Sequence, residues 1–168
     1  ANQRIVDDPD YPYYFERPYS APFRGLRLWE RLDRRAASDD PIDPEFMRTV
    51  QLDAYDKRAE LFVPVMENAR SAADDEARAL LDDLQDWEYR MDRDARGALV
   101  FAQFMEVYAD VVFETRLGDA LGDRRDVSEY YGTDWTLIQL PPVSAWFPDG
   151  RDAAIAEALS ETAAKLAK

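Results

Sequence analysis

The chain has 168 residues, with 35 Asp+Glu against 21 Lys+Arg, a formal net charge of −14, and neither His nor Cys. Without Cys there are no disulfides, thiol nucleophiles or thiolate metal sites, and without His no Ser-His-Asp or Cys-His pair can be built. Chemistry must run on carboxylates, amides, Arg, hydroxyls and backbone, or on groups outside these residues.

The first 23 residues read as an extended Pro/Tyr-rich arm, with Tyr11-Pro12-Tyr13-Tyr14-Phe15, Pro18, Tyr19 and Pro22. Proline blocks helix continuation, so the arm is expected to lie extended over something apolar. Residues 24–168 read as a helical domain. Ser20 and Pro22 can start a helix carrying Leu26, Leu28, Trp29 and Leu32 between Arg24, Arg27, Arg31, Arg34 and Arg35. From spacing alone those arginines form a solvated face pairing with neighbouring acids. Ser38 to Pro41 is a loop, and Asp43-Pro44-Glu45 has the order of an N-cap, an N1 proline and a first-turn acid.

Phe46, Val50 and Ala54 follow at i, i+4 spacing, then Leu61, Phe62, Val65 and Met66, with Pro64 expected to kink or break the helix. Asp74 can cap a helix carrying Ala77, Leu80, Leu81 and Leu84, with Trp87 at its end. From Asp94 to about Leu117 the apolar residues make an unusually broad surface for a helix, which predicts a central helix covered on several sides. Gly118, Gly122 and the charged run 123–126 are expected to break it. Residues 134–140 read as a strand or a short helix ended by Pro141-Pro142, residues 144–150 as a turn, and Asp152 to about Ala167 as a last helix. The pattern is all-α.

Acids dominate almost everywhere and the pI is near 4.4, which argues against nucleic acid as a partner. Apolar runs are too short for a membrane span. Asp outnumbers Glu by 23 to 12, and three lysines stand beside 18 arginines. Short hydrated carboxylates with few ammonium stems suit concentrated salt, so a halophilic source is expected. Adjacent acids such as Asp39-Asp40, Asp74-Asp75 and Asp82-Asp83 sit where acids cap and solvate. No 12-residue calcium loop, P-loop or Gly-rich dinucleotide turn occurs. The aromatic clusters read as core, not as a ligand box.

The order of segments resembles the penicillin acylase (penicillin amidase) family of N-terminal nucleophile hydrolases. Ala1-Asn2-Gln3 with Tyr11-Pro12 is similar to that family's Ala-Asn-Asn/Gln segment and aspartate-Tyr-Pro turn. Pro22-Phe23-Arg24-Gly25-Leu26-Arg27-Leu28 resembles its Pro-Tyr-Arg-x-x-Arg-Ile helix start, and Gln51-Leu52-Asp53 its Gln-x-Asp helix. Leu84-x-x-Trp87-Glu88 and Trp146-Phe147-Pro148-Asp149 continue the resemblance in the same order.

The resemblance implies a mainly helical middle segment of the large chain of an αββα hydrolase. The activity implied is cleavage of the amide of N-acyl substrates by an N-terminal Ser, with an acyl-enzyme. By motif position Asn2 would be an oxyanion-hole donor and Arg24 its supporting residue, both in the catalytic site. The nucleophile would lie outside the 168 residues, so the segment alone is expected to be inactive and to act with the remainder of the same precursor on a small-molecule amide. The family's calcium-binding acids lie mostly elsewhere, and Tyr13 stands where an acid is expected. No cofactor is therefore assigned to this segment, and calcium is left to the complete enzyme. An extracellular or cell-envelope location is a further implication. The rival readings are a self-standing acidic helical interaction module and, more weakly, a carboxylate-based metal protein.

Overall fold

The computed structural model describes residues 21–121 and 133–168. The arm expected over the first residues and the break expected at Gly122 and 123–126 lie outside them. Among the described residues seven α-helices follow one another: α1 (Phe23–Ala36), α2 (Pro44–Gln51), α3 (Lys57–Met66), α4 (Asp75–Gln85), α5 (Arg96–Leu121), α6 (Thr133–Gln139) and α7 (Arg151–Leu166). No strand longer than an isolated bridge occurs among the described residues. The segment is all-α.

Helices α4, α5 and α7 pack on one another and form the body of the molecule. Helix α5 has Val100, Phe101, Phe104, Val107, Tyr108 and Val112 at no more than 1% exposure, which makes a broad buried face, while Leu99, Ala102 and Glu106 on the other side of the helix are exposed. Leu81 and Leu84 of α4, and Ile155 and Leu159 of α7, close on it. The Phe62 and Phe104 rings and the Phe147 ring all lie within 6.5 Å of Tyr108. These aromatics are core. Burial pushes the Tyr108 phenol well above its ordinary pKa, because a phenolate there would lose its hydration.

Short polar side chains mark the helix starts. Asp43 accepts from the Phe46 amide at 2.8 Å ahead of Pro44, and Asp74 accepts from the Ala77 amide at 2.8 Å. The same Asp74 accepts from Ser160 Oγ at 2.6 Å, which ties the start of α4 to α7. Asp82 and Asp83 pair with Arg70 and Arg96. Among the described residues no group of three acids is placed to hold a metal ion, and no helix is long and apolar enough to cross a membrane.

Three expectations are corrected. The Phe46-Val50-Ala54 run does not continue into one helix: α2 ends at Gln51 and α3 begins at Lys57. Asp56 caps α3 through the Arg58 amide at 2.8 Å, and the backbone between the helices pairs with a distant segment. Pro64 does not break α3, which runs through it to Met66 and then tightens into a 3-10 turn, Glu67–Ser71. A proline so near a helix end removes one amide bond, while Phe62 and Met66, fully buried on either side, hold the helix in place. Gly118 lies inside α5 rather than ending it.

One glycine is dictated by packing. A Cβ on Gly97 would stand 2.5 Å from both Cβ and Cγ of Trp87, closer than any real contact. Trp87 is 8% exposed, touches Tyr89 and Phe101, and donates its Nε1–H to the Arg90 carbonyl at 2.7 Å. Gly97→Ala gains about 1 kcal/mol of helix propensity but overpacks this site. A net loss of about 1–3 kcal/mol in denaturant unfolding is expected.

Candidate functional site

Helices α1 and α2 are barely anchored by apolar burial. Helix α1 buries Phe23 and Gly25, and α2 buries no residue. Trp29 is 60% exposed and Leu52 69%. What attaches the pair to the body is charge.

The centre of this attachment is Asp53, whose side chain is 7% exposed. Its Oδ2 accepts from Arg27 Nε at 2.8 Å and lies 3.0 Å from Arg31 Nη1. Its Oδ1 accepts from the Tyr55 amide at 3.3 Å and lies 4.0 Å from Arg90 Nη1. Arg31 also donates to the Thr49 carbonyl at 3.1 Å and to Thr49 Oγ1 at 2.8 Å, so one guanidinium spans α2 and the following turn. Arg27 lies 4.0 Å above the Tyr55 ring, and Arg35 lies 4.8 Å from the Phe46 ring centre.

The turn that carries Asp53 is held from behind. The Asp56 amide donates to the Tyr89 carbonyl at 2.7 Å, and the Met91 amide to the Ala54 carbonyl at 2.8 Å, an antiparallel bridge centred on Tyr55 and Arg90. Tyr89 sits at φ 58°, in the left-handed region that costs a non-glycine residue about 1–3 kcal/mol. Edge contacts to Tyr55 and Trp87 hold its ring there. Packing thus runs from Gly97 through Trp87 and Tyr89 to the turn beneath Asp53.

A second charge group flanks the first. Lys57, 9% exposed, donates to Glu30 of α1 and to Glu60 of α3, the latter at 2.7 Å. Desolvation works against each charge, but partners outweigh it. The Arg27 and Arg31 guanidiniums hold the Asp53 carboxyl below its usual range. Lys57 and the Tyr55 hydroxyl do the same for Glu60, and the two glutamates raise Lys57. Tyr55 is pushed up to about 12 by burial and by the Glu60 carboxylate.

Of the sequence-predicted site residues, Asn2 lies outside the described residues. Arg24 is exposed in the first turn of α1. At i, i+3 and i+7, Arg24, Arg27 and Arg31 share one face of that helix. The latter two are tied down, whereas no described residue pairs with Arg24. The reading of the α1 arginines as a face pairing with acids holds for Arg27, Arg31 and Arg35, the last bonded to Asp40 at 3.0 Å. That reading missed the burial of Asp53. The available signal was an Arg pair at i, i+4 and a lone Asp in the Gln51-Leu52-Asp53 motif.

A family model described as penicillin amidase matches residues 1–168. The chain belongs to the penicillin amidase family. Membership supports a penicillin-acylase-like hydrolase. No curated protein matches the sequence.

Because the Asp53 and Glu60 carboxyls are depressed in the fold, their stabilisation is full above the unfolded value of about 4 and is lost as pH falls through the lower folded values. The stability difference between the native chain and Asp53→Asn should be flat from about pH 7 to 5 and shrink below about pH 4, in denaturant titrations at each pH. At the alkaline end the raised Lys57 and Tyr55 contribute fully up to about pH 10 and lose their effect above it.

Proposed function

We propose that this chain is the helical part of an amidohydrolase that cleaves the amide of N-acyl compounds through an N-terminal Ser supplied by another part of the same precursor. The observation that carries the reading is the family match over residues 1–168 together with Arg24, which stands exposed on a helix whose neighbouring arginines are fixed. Arg24 has no partner among the described residues, beside two arginines that are held, and this supports the reading that its donors are available to a ligand or a neighbouring segment.

The chemistry needs no histidine. The α-amine of the nucleophilic Ser, with an ordinary pKa of about 8, takes the Ser proton as Oγ attacks the amide carbonyl. The amine leaving group departs with that proton, and water resolves the acyl-enzyme. Negative charge gathers on the carbonyl oxygen in each tetrahedral state. The Asn2 Nδ2–H, with a backbone N–H from the nucleophile-bearing part, stabilises that charge. An Asn side chain can present its oxygen instead of its nitrogen. To Arg24, which has donors only, we assign the orienting of that amide.

Removing an oxyanion donor costs about 10²–10³ in kcat. Asn2→Ala in the complete enzyme should lose that much, with KM for an N-acyl p-nitroanilide little changed. The isolated chain should show no hydrolysis of that compound. An Asn2→Ala enzyme with full activity would contradict the assignment, as would turnover by the isolated chain.

A further inference from the structure

Helix α1 carries Arg24 but contributes only Phe23 and Gly25 to the interior, so its apolar contacts leave its axial position and rotation weakly specified. The geometry points to Asp53 as the positioning residue of the site: its buried carboxylate, gripped by Arg27 and Arg31, sets where α1 lies and thereby where Arg24 stands. The inference rests on the role proposed for Arg24, but its structural half can be tested without it.

Three features favour a positioning role over incidental pairing. First, both contacts are made by one carboxylate oxygen to arginines one helical turn apart, at 2.8 and 3.0 Å. A rotation or slide of α1 breaks at least one of them. Second, Asp53 does not move with α1, because its turn is bridged to residues 89–91 and backed by the packed Trp87 ring. The clasp therefore refers α1 to the core. Third, the clasp is one helical turn from Arg24, close enough that a tilt in α1 becomes a displacement of the Arg24 guanidinium. Catalytic geometry is sensitive on that scale, since a shift of about 1 Å can cost about 10² in rate.

The test uses the complete enzyme, hydrolysing an N-acyl p-nitroanilide, with Asp53→Asn, Asp53→Glu, Arg31→Gln and, as a control, Arg96→Gln, which breaks an exposed pair with Asp83 away from the clasp. In Asp53→Asn the amides of residues 23–36 should exchange with solvent at least ~10-fold faster, reporting local opening. The kcat should fall about 10²-fold with KM nearly unchanged. Asp53→Glu should recover part of both losses, Arg31→Gln should give intermediate values, and Arg96→Gln should alter neither. In an Arg24→Ala background Asp53→Asn should have no further effect on kcat, because a positioning residue acts through the group it positions.

Unchanged exchange in residues 23–36 would overturn the inference whatever happens to activity. Faster exchange with full kcat would overturn its functional half, and so would additive losses in the double variant. Should Asp53→Asn fail to fold, Arg31→Gln supports the same comparisons. Full activity in Arg24→Ala alone would overturn the role of Arg24, and the exchange measurement would then decide the clasp by itself.

Discussion

A carboxylate removed from water needs positive partners, and Asp53 has recruited them from two directions. Arg27 and Arg31 reach it from α1, and Arg90 approaches from the bridge behind it. Leaving a buried charge unpaired costs about 3–5 kcal/mol. Burying the single Phe23 ring contributes about 1.5–3 kcal/mol, and the exposed arginine–ring contacts about 0.5–1 kcal/mol each. The carboxylate is therefore the strongest single constraint on where α1 sits. Its effect is to specify position more than to add net stability, since desolvating the ions offsets much of their attraction.

Two kinds of order coexist in the molecule. The body of α4, α5 and α7 is held by close-packed apolar and aromatic side chains around Phe101, Phe104 and Tyr108. The α1–α2 pair is held by directional contacts that leave Trp29, Ile42 and Leu52 facing outward. The link between them is the short bridge from residues 54–56 to 89–91, fixed by Trp87 over a glycine that no other residue could replace without displacing the ring. Apolar packing makes a rigid platform, and ion pairs set the attitude of α1 on it.

Much of the fold was legible because its causes are local. Asp43 before Pro44 and Asp74 before a run of Ala and Leu are capping signals that need no tertiary information, and the broad apolar surface of α5 announces burial directly. The break between α2 and α3 was not legible. Phe46, Val50 and Ala54 satisfy helical spacing, and the competing partners, the carbonyl of Tyr89 and the amide of Met91, are far away in sequence. Pro64 misled for the opposite reason: a local rule was overridden by Phe62 and Met66, packed on either side of it. The roles proposed for Arg24 and Asn2 rest on the order of family motifs, not on spacing. The burial of Asp53 could not be read at all, because whether an Asp is solvated or enclosed depends on which helix returns over it.

The central claim is that α1 is held to the body by the Asp53 carboxylate and its two guanidiniums. A double-mutant cycle on Arg27 and Asp53, with Arg27→Met and Asp53→Asn singly and together, measures that attachment directly in denaturant unfolding. A coupling of at least about 1.5 kcal/mol is expected, the scale of a hydrogen bond between charged groups. Single losses that add within about 0.3–0.5 kcal/mol would mean that the two residues do not act on each other, and would contradict the account.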